Sequence, residues 1–185
     1  VTVNEKGQSN WQLDNCTNFQ HQFSHNEFLF EKPDLIVRRR DFVIENQPGF
    51  FSQLTIRNPE NKRRKITLHL QSQINIRPAW RSGLANDIDI INYQEGQVRA
   101  EDESKKGEGL IFGSATSPSE YKLGGNLATL SYHLELPAKG ETSISFLFLK
   151  FSPGKSNKEF LEIFHKQNKL LKQKIQIYQD IAFSG

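Results

Sequence analysis

The sequence predicts an antiparallel β-sandwich followed by a single helix. Segments in which apolar and polar residues alternate with a period near two fill most of the chain, and turn residues separate them about every 8–12 residues. The one long stretch with a helical period comes at the end. A chain of 185 residues is long enough to bury a sizeable core between two layers, so one main domain is expected.

The first part of the chain is predicted to form strands that end at tight turns. Residues 34–45 are rich in β-branched and aromatic side chains, and the turn sequence Asn-Gln-Pro-Gly follows at 46–49. Residues 50–57 and 65–77 both alternate and flank turn residues at 58–61, which predicts a hairpin. Shorter strands are predicted at 11–13, 17–23 and 26–31.

The second part is predicted to continue as strands. Residues 127–136 and 142–151 flank a five-residue loop that contains Gly140, and this pattern predicts a second long hairpin. Shorter strands are predicted at 87–93, 97–101, 109–116 and 121–123.

The last stretch, residues 156–185, is predicted to be an amphipathic helix. Ser156 and Glu159 have the spacing of a capping box, in which each side chain satisfies a free backbone amide of the first turn. An apolar stripe follows at helical spacing. Its members include Phe160, Phe164, Leu171, Ile175 and Tyr178.

Two interpretations of this helix remain open. It either folds back on its own domain, or it leads into a further domain and exposes its stripe when that domain is absent. The chain ends at Ser184-Gly185, two residues after the apolar Phe183, and this favours the second interpretation. The second interpretation divides the chain into a sandwich at 1–153 and a linker helix at 154–185. In it, the apolar stripe packs between the sandwich and the further domain.

Composition excludes several classes of protein. Hydrophobic residues make up 36% and charged residues 24%, which is too apolar for a disordered chain, and no apolar run is long enough to span a membrane. The single Cys16 excludes an internal disulfide. Compartment is left open, with the cytoplasm favoured over the periplasm. The basic runs at 38–40 and 62–65 are interpreted as solvated strand and turn residues, so no nucleic-acid partner is expected.

No motif predicts a self-contained active site, a metal or a cofactor. His21 and His25 are four residues apart, a spacing that gathers two ligands only on a helix. His69 and His133 lie in amphipathic strands and are expected to be hydrogen-bonded sheet residues. Asp87 and Asp89 project from one side of a strand, but a carboxylate pair alone is common on exposed strands. The chain contains neither a Gly-x-Ser-x-Gly elbow nor a phosphate-binding P-loop.

Trp80 is the strongest candidate binding residue. It lies in a loop just past a predicted strand, beside Arg81. An exposed indole in such a loop can stack on a sugar ring or insert into a neighbouring domain, whereas a buried one closes the open end of a sandwich.

Several segments in order resemble a known family. They are Arg77-Pro78-Ala79-Trp80, residues 87–93, Ile111-Phe112-Gly113-Ser114, the strands 127–136 and 142–149, and KIQIYQDIAFS at 174–184. Together they resemble the non-catalytic N-terminal β-domain of bacterial glycoside hydrolases of the amylo-α-1,6-glucosidase (glycogen-debranching) type. The turn at 62–65 and the residues before 34 match nothing in that family.

The resemblance implies a galactose-mutarotase-like β-supersandwich and a linker helix. It implies as partner a downstream (α/α)6 catalytic domain of the same polypeptide, which would hold the catalytic residues, so this chain is not expected to be catalytic by itself. The sandwich would support the barrel and reach the rim of its sugar site. Trp80, Arg81 and Tyr93 are the expected carbohydrate-binding residues, with an oligosaccharide as a second partner.

Two other functions remain open. A free-standing carbohydrate-binding module would need an aromatic platform, for which Trp80, Tyr93 and Tyr121 are the candidates. A structural β-sandwich of the cell surface is the other alternative.

Overall fold

A computed structural model describes residues 1–5, 10–22, 24–44, 47–76, 89–102, 109–151 and 156–183. In chain order the elements are β1 (Thr2–Glu5), β2 (Trp11–Gln12), β3 (Asn18–His21), β4 (Asn26–Lys32), β5 (Leu35–Val43), β6 (Gly49–Arg57), β7 (Arg64–Gln73), β8 (Asp89–Gln94), β9 (Gln97–Asp102), β10 (Gly109–Gly113), β11 (Glu120–Gly124), β12 (Leu127–Leu136), β13 (Glu141–Phe151) and α1 (Asn157–Phe183).

The strands form two sheets of unequal width, and all neighbouring strands are antiparallel. The smaller sheet has five strands in the order β11-β12-β7-β1-β2, and the larger has eight in the order β3-β4-β5-β6-β13-β10-β9-β8. The predicted antiparallel β-sandwich with one C-terminal helix is confirmed. The short strand β1 was not predicted; it pairs with β7 over four residues.

The main core fills the space between the sheets. The face of each sheet that points towards the other sheet is called its inner face. Side chains at alternate positions meet there, as the period-two pattern requires. Fully buried members include Val37, Leu54, Ile56, Leu68, Phe112, Leu130 and Phe146.

Both predicted long hairpins are wrong. The strands β6 and β7 lie in different sheets, and so do β12 and β13. The two connections cross between the sheets side by side: the Asn58 N–H donates to the Gly140 carbonyl at 2.9 Å, and the Lys139 N–H donates to the Glu60 carbonyl at 2.8 Å. A crossing is feasible because four extended residues span about 13 Å, more than the ~10 Å between packed sheets.

The shorter hairpins agree with the turn residues in the sequence. Strands β8 and β9 pair around Glu95 and Gly96, which have φ angles of 49° and 93°. Strands β11 and β12 pair around Gly125, whose φ is 57°. Glycine reaches positive φ without steric cost, which is why it occupies such two-residue turns.

The helix α1 starts at the predicted capping box. The Ser156 N–H donates to Oε2 of Glu159 at 2.9 Å, and the Glu159 N–H donates to Oγ of Ser156 at 3.3 Å. In the described part of the chain, no helix is long and apolar enough to cross a membrane.

The helix crosses the outer face of the larger sheet. Near its start Nη2 of Arg99 in β9 donates to Oδ1 of Asn157 at 2.9 Å. The Phe164 ring lies 5.1 Å from the Phe51 ring in β6. Farther along, Nζ of Lys174 lies 5.7 Å from the ring centre of Phe42 in β5. The molecule therefore has a second core between the sheet and the helix.

Candidate functional site

Of the three residues predicted to bind carbohydrate, the structure describes one. Trp80 and Arg81 lie outside the described residues, as does Asp87. Tyr93 lies on the inner face of β8, the edge strand of the larger sheet, where it packs against the main core.

Tyr93 stacks on Tyr121, which belongs to β11 at the edge of the smaller sheet. The ring centroids are 3.9 Å apart and the planes are inclined by 16°. Tyr93 is half-buried, whereas Tyr121 is 51% exposed. The structure thus brings together two of the three aromatic residues proposed as a platform, and the pair bridges the edges of the two sheets.

Tyr132 completes a group that we call the tyrosine cluster (Tyr93, Tyr121 and Tyr132). The Tyr132 ring meets the Phe146 ring edge-on at 5.4 Å and is 2% exposed. Within the described part of the chain its hydroxyl has no hydrogen-bond partner. Burial raises the pKa of the Tyr132 hydroxyl well above its usual range, and the nearby Tyr93 hydroxyl raises it further.

At physiological pH the hydroxyls of Tyr93 and Tyr132 are protonated and uncharged. Burial also raises the pKa of Tyr93, and the neighbouring Tyr121 hydroxyl contributes to that rise. Neutral phenols donate and accept hydrogen bonds, and their rings offer apolar faces. This chemistry suits the binding of a polyol rather than bond cleavage. No group of three or more His, Cys, Asp or Glu side chains among the described residues could hold a metal ion.

Asp89 accepts a hydrogen bond that links the two sheets. Its Oδ2 accepts a hydrogen bond from the Ile76 N–H at 3.0 Å, and the residue is buried at the start of β8. The bond links the segment after β7 in one sheet to the first residue of β8 in the other.

The histidines of the described strands are hydrogen-bonded, as predicted for His69 and His133. Nδ1 of His69 lies 2.8 Å from Oγ of Ser131, and Nδ1 of His133 lies 3.1 Å from Oγ1 of Thr67. Each ring contacts the hydroxyl directly opposite on the neighbouring strand.

The two histidines before β5 contact different partners. His21 pairs with Asn26 and the buried His25 pairs with Ser24. Burial, followed by the charge of Arg40, lowers the pKa of His25.

The three arginines of the basic run at 38–40 pair with two neighbouring carboxylates. Arg38 and Arg40 pair with Glu27, at 3.4 Å and 2.6 Å. The Nε atom of Arg39 lies 2.8 Å from Oδ2 of Asp41.

The interpretation of residues 62–65 as a solvated turn is wrong for Arg64. Its side chain is 3% exposed because it begins β7 at the end of the core, where it pairs with Glu5 and Asp34. The hydrogen bond with Glu5 is the main cause of the raised pKa of this guanidinium.

The apolar stripe of α1 packs on the chain's own larger sheet. Phe160, Phe164 and Leu171 are at most 4% exposed there. The expectation of an exposed stripe is therefore wrong for these three residues, because the outer face of the sheet carries matching apolar side chains. Ile175 is half-buried, and the side chain of Tyr178 lies outside the described residues. A contact of the helix with a further domain stays a prediction.

The sequence pattern did not predict two features, one in the packing of the helix and one in the larger sheet. Gln167 is 4% exposed in the middle of the stripe, where a polar residue gave no signal of burial. Phe19, Val43 and Phe50 are exposed although they lie on the inner face. Period two places these side chains on one face but does not show that this part of the face is uncovered.

Comparison with known proteins shows the fold. No protein-family model matches the chain, and no curated protein matches it significantly. A human-microbiome protein described as a kojibiose phosphorylase has a similar fold, with a TM-score of 0.53 and 11% sequence identity; the match covers 93% of this chain and 25% of that chain. A mutant of heparan sulfate lyase HepC from Pedobacter heparinus matches with a TM-score of 0.46 and 11% identity, over 77% of this chain and 22% of that chain.

The chain therefore shares its fold with about a quarter of the protein described as a kojibiose phosphorylase. The glycogen-debranching family suggested by the sequence resemblance is not confirmed by these matches.

Proposed function

We propose that this chain is a non-catalytic β-sandwich domain of a carbohydrate-active enzyme. In this proposal it supports an (α/α)6 catalytic domain of the same polypeptide and lies at the rim of the sugar site. The parent enzyme acts on α-glucosidic linkages, as the resemblance to debranching-type hydrolases implies.

The observation that carries the proposal is the fold match over 93% of this chain to part of a protein described as a kojibiose phosphorylase. In the sequence, Trp80 and Arg81 precede β8, the strand that presents Tyr93.

Activity measurements on two proteins test the proposal. The product of the complete coding sequence and the 185-residue chain alone are incubated with α-linked glucosides, with and without inorganic phosphate. We expect turnover by the complete product and none by the chain alone. Turnover by the chain alone, or a complete product without activity on any of these glycosides, contradicts the proposal.

The role at the rim has its own test in the complete enzyme. Replacing Tyr121 by Ala removes the exposed ring of the stacked pair, so we expect a higher KM with little change in kcat. Ile90→Ala is the matched control, because Ile90 lies on the opposite face of the adjacent edge strand β8 and is 41% exposed. Equal kinetics for Tyr121→Ala and the control contradict a sugar contact by the tyrosine cluster.

A further inference from the structure

Three of the six large apolar side chains that are exposed in the described chain lie on one part of the larger sheet. Phe19 is 52%, Val43 75% and Phe50 41% exposed. Cross-strand pairs place them on the inner face: Phe19 pairs with Phe28, and Val43 pairs with Phe50. Val37 and Ile56 are buried on the same face of β5 and β6, so the smaller sheet covers one end of these strands and leaves the other end uncovered. We call the uncovered part, which carries Phe19, Arg39, Asp41, Val43 and Phe50, the inner-face strip.

A fixed polar group lies in the middle of the inner-face strip. Nε of Arg39 donates to both carboxylate oxygens of Asp41, at 3.1 Å and 2.8 Å, and Nη2 donates to Oδ2. The Ser52 hydroxyl donates to Oδ1 of Asp41 at 2.6 Å. Within the described residues, Nη1 of Arg39 donates no hydrogen bond. A planar donor and carboxylate lone pairs therefore lie side by side, with the Arg39 side chain 32% and the Asp41 side chain 16% exposed.

Aromatic rings flank this polar group on two sides. The Arg39 guanidinium lies 4.7 Å above the Phe28 ring, and the Phe28 ring contacts Phe19 with centroids 5.0 Å apart. On the other side Phe50 stacks on Phe148 at 4.4 Å with an angle of 8°. Phe148 stacks in turn on the fully buried Phe112 at 5.3 Å. Because each exposed ring rests on another ring, little rotamer entropy is left to lose when a ligand binds.

We propose that the inner-face strip binds a neutral oligosaccharide, laid across strands β3 to β6. Sugar hydroxyls accept as well as donate hydrogen bonds, so they can bind the remaining Nη1 donor of Arg39. The apolar faces of sugar rings match Phe19 and Phe50. These rings lie three strand spacings apart across the sheet and four residues apart along it, roughly 20 Å at ~4.8 Å per strand and ~3.4 Å per residue. A ligand of several sugar units is needed to reach both.

The ligand class rests on the proposed function, whereas the place of binding rests on the contacts above. The salt bridge between Arg39 and Asp41 has no net charge, so the polar group itself does not favour a charged partner. A protein surface is the competing occupant, since Val43 and Phe50 form an apolar end of the strip.

Amide NMR spectra of the isotopically labelled chain, titrated with maltoheptaose, test the proposal. We expect the largest shifts in β3–β6 and an affinity in the millimolar range. Phe50→Ala and Phe19→Ala are each expected to weaken binding roughly tenfold, as is Arg39→Lys, which keeps the charge but loses the two-pronged donor. Phe50→Tyr keeps the ring and is expected to bind like the unmodified chain.

Two controls locate the site. Ile90→Ala removes an outer-face side chain that is 41% exposed, as Phe50 is, and Leu127→Ala removes a 37% exposed side chain from the smaller sheet. Both are expected to leave binding unchanged. Signals outside the strip show whether each variant is folded.

The remaining outcomes overturn the proposal. These are no shifts with maltoheptaose, shifts centred on Tyr93 and Tyr121, or binding unaffected by all three strip variants. Loss of self-association or of enzyme assembly in Phe50→Ala, without sugar binding by the unmodified chain, assigns the strip to a protein partner instead. An inactive complete product contradicts the proposed function but leaves a positive titration standing, so the two failures are distinguishable.

Discussion

At the scale of single residues, the charge of Arg64 can stay buried in the fold only because carboxylates pair with it. Its guanidinium is buried at the end of the sandwich, bonded to the carboxylates of Glu5 and Asp34 and to the Asp34 backbone carbonyl. Such a network joins β1, β7 and the turn before β5. Removing the central cation leaves two partly buried carboxylates beside each other without compensation.

We expect Arg64→Ala to lower the free energy of unfolding by about 3–5 kcal/mol, as for other broken buried ion pairs. Urea denaturation at neutral pH measures the change. Lys62→Ala is the control, since Lys62 is 72% exposed and pairs with Glu60 at the surface; its effect is expected to stay below about 0.5 kcal/mol. Equal effects for the two variants would show that the Arg64 network contributes little.

The Tyr132 hydroxyl gives a prediction for alkaline pH. In the folded chain its pKa lies above the ordinary value of 10.0, so the folded state holds the proton more tightly than the unfolded state. This contribution to stability is complete below pH ~10 and is lost as pH rises above that value. Tyr132→Phe removes a buried hydroxyl without a partner in the described chain. We expect it to stabilise the fold by roughly 1 kcal/mol at neutral pH.

The measurement is the urea midpoint of both proteins at neutral pH and above pH ~10, where the variant is expected to lose less stability than the unmodified chain. Other groups titrate there too, so only the difference between the two proteins is interpreted. Parallel stability curves for the two proteins would contradict the assignment of alkaline sensitivity to Tyr132.

At the scale of elements, α1 is held by its apolar stripe rather than by its helical propensity. Phe164 contacts Phe51 of the sheet, and both are buried. We expect Phe164→Ala to cost about 3–5 kcal/mol, because it leaves a cavity between the helix and β6. Lys169→Ala on the exposed side of the helix is the control.

Thermal or urea unfolding compares these two variants. A small effect of Phe164→Ala, close to that of Lys169→Ala, would indicate that the helix leaves the sheet in solution. That result would favour the interpretation in which the stripe packs on a further domain.

At the scale of the whole molecule, the larger sheet is shared by two cores. Its inner face packs on the smaller sheet, and its outer face packs under α1. Removing residues 156–185 would uncover an apolar surface that includes Phe42, Phe51, Ile111, Leu147 and Leu149. We expect the shortened chain to bind a hydrophobic dye and to self-associate, because exposed apolar patches of this kind promote association.

Dye fluorescence and sedimentation of the shortened and complete chains measure this effect. A monomeric shortened chain that binds no dye would show that the helix does not cover the sheet. The capping variant Ser156→Ala is an intermediate case, in which the helix is weakened but present. It is expected to lower the free energy of unfolding by about 1 kcal/mol.

The sequence by itself determined the fold class, most strands and the start of the helix. These depend on neighbours along the chain: side-chain alternation in β5, β6, β12 and β13, glycine at the turn of β8 and β9, and the Ser156 and Glu159 pair. Each is a local pattern, and each has a local physical cause.

Only the tertiary structure decided which strands pair and which apolar surfaces are covered. Alternation marks two faces of a strand but not the sheet that it joins, so β6 and β7 were predicted as a hairpin and lie in different sheets. The stripe of α1 could be read from its spacing, but not the surface on which it packs. The stacking of Tyr93 on Tyr121 and the exposure of the inner-face strip depend on how the two sheets meet in space. A pattern of neighbours along the chain contains no information about that long-range arrangement.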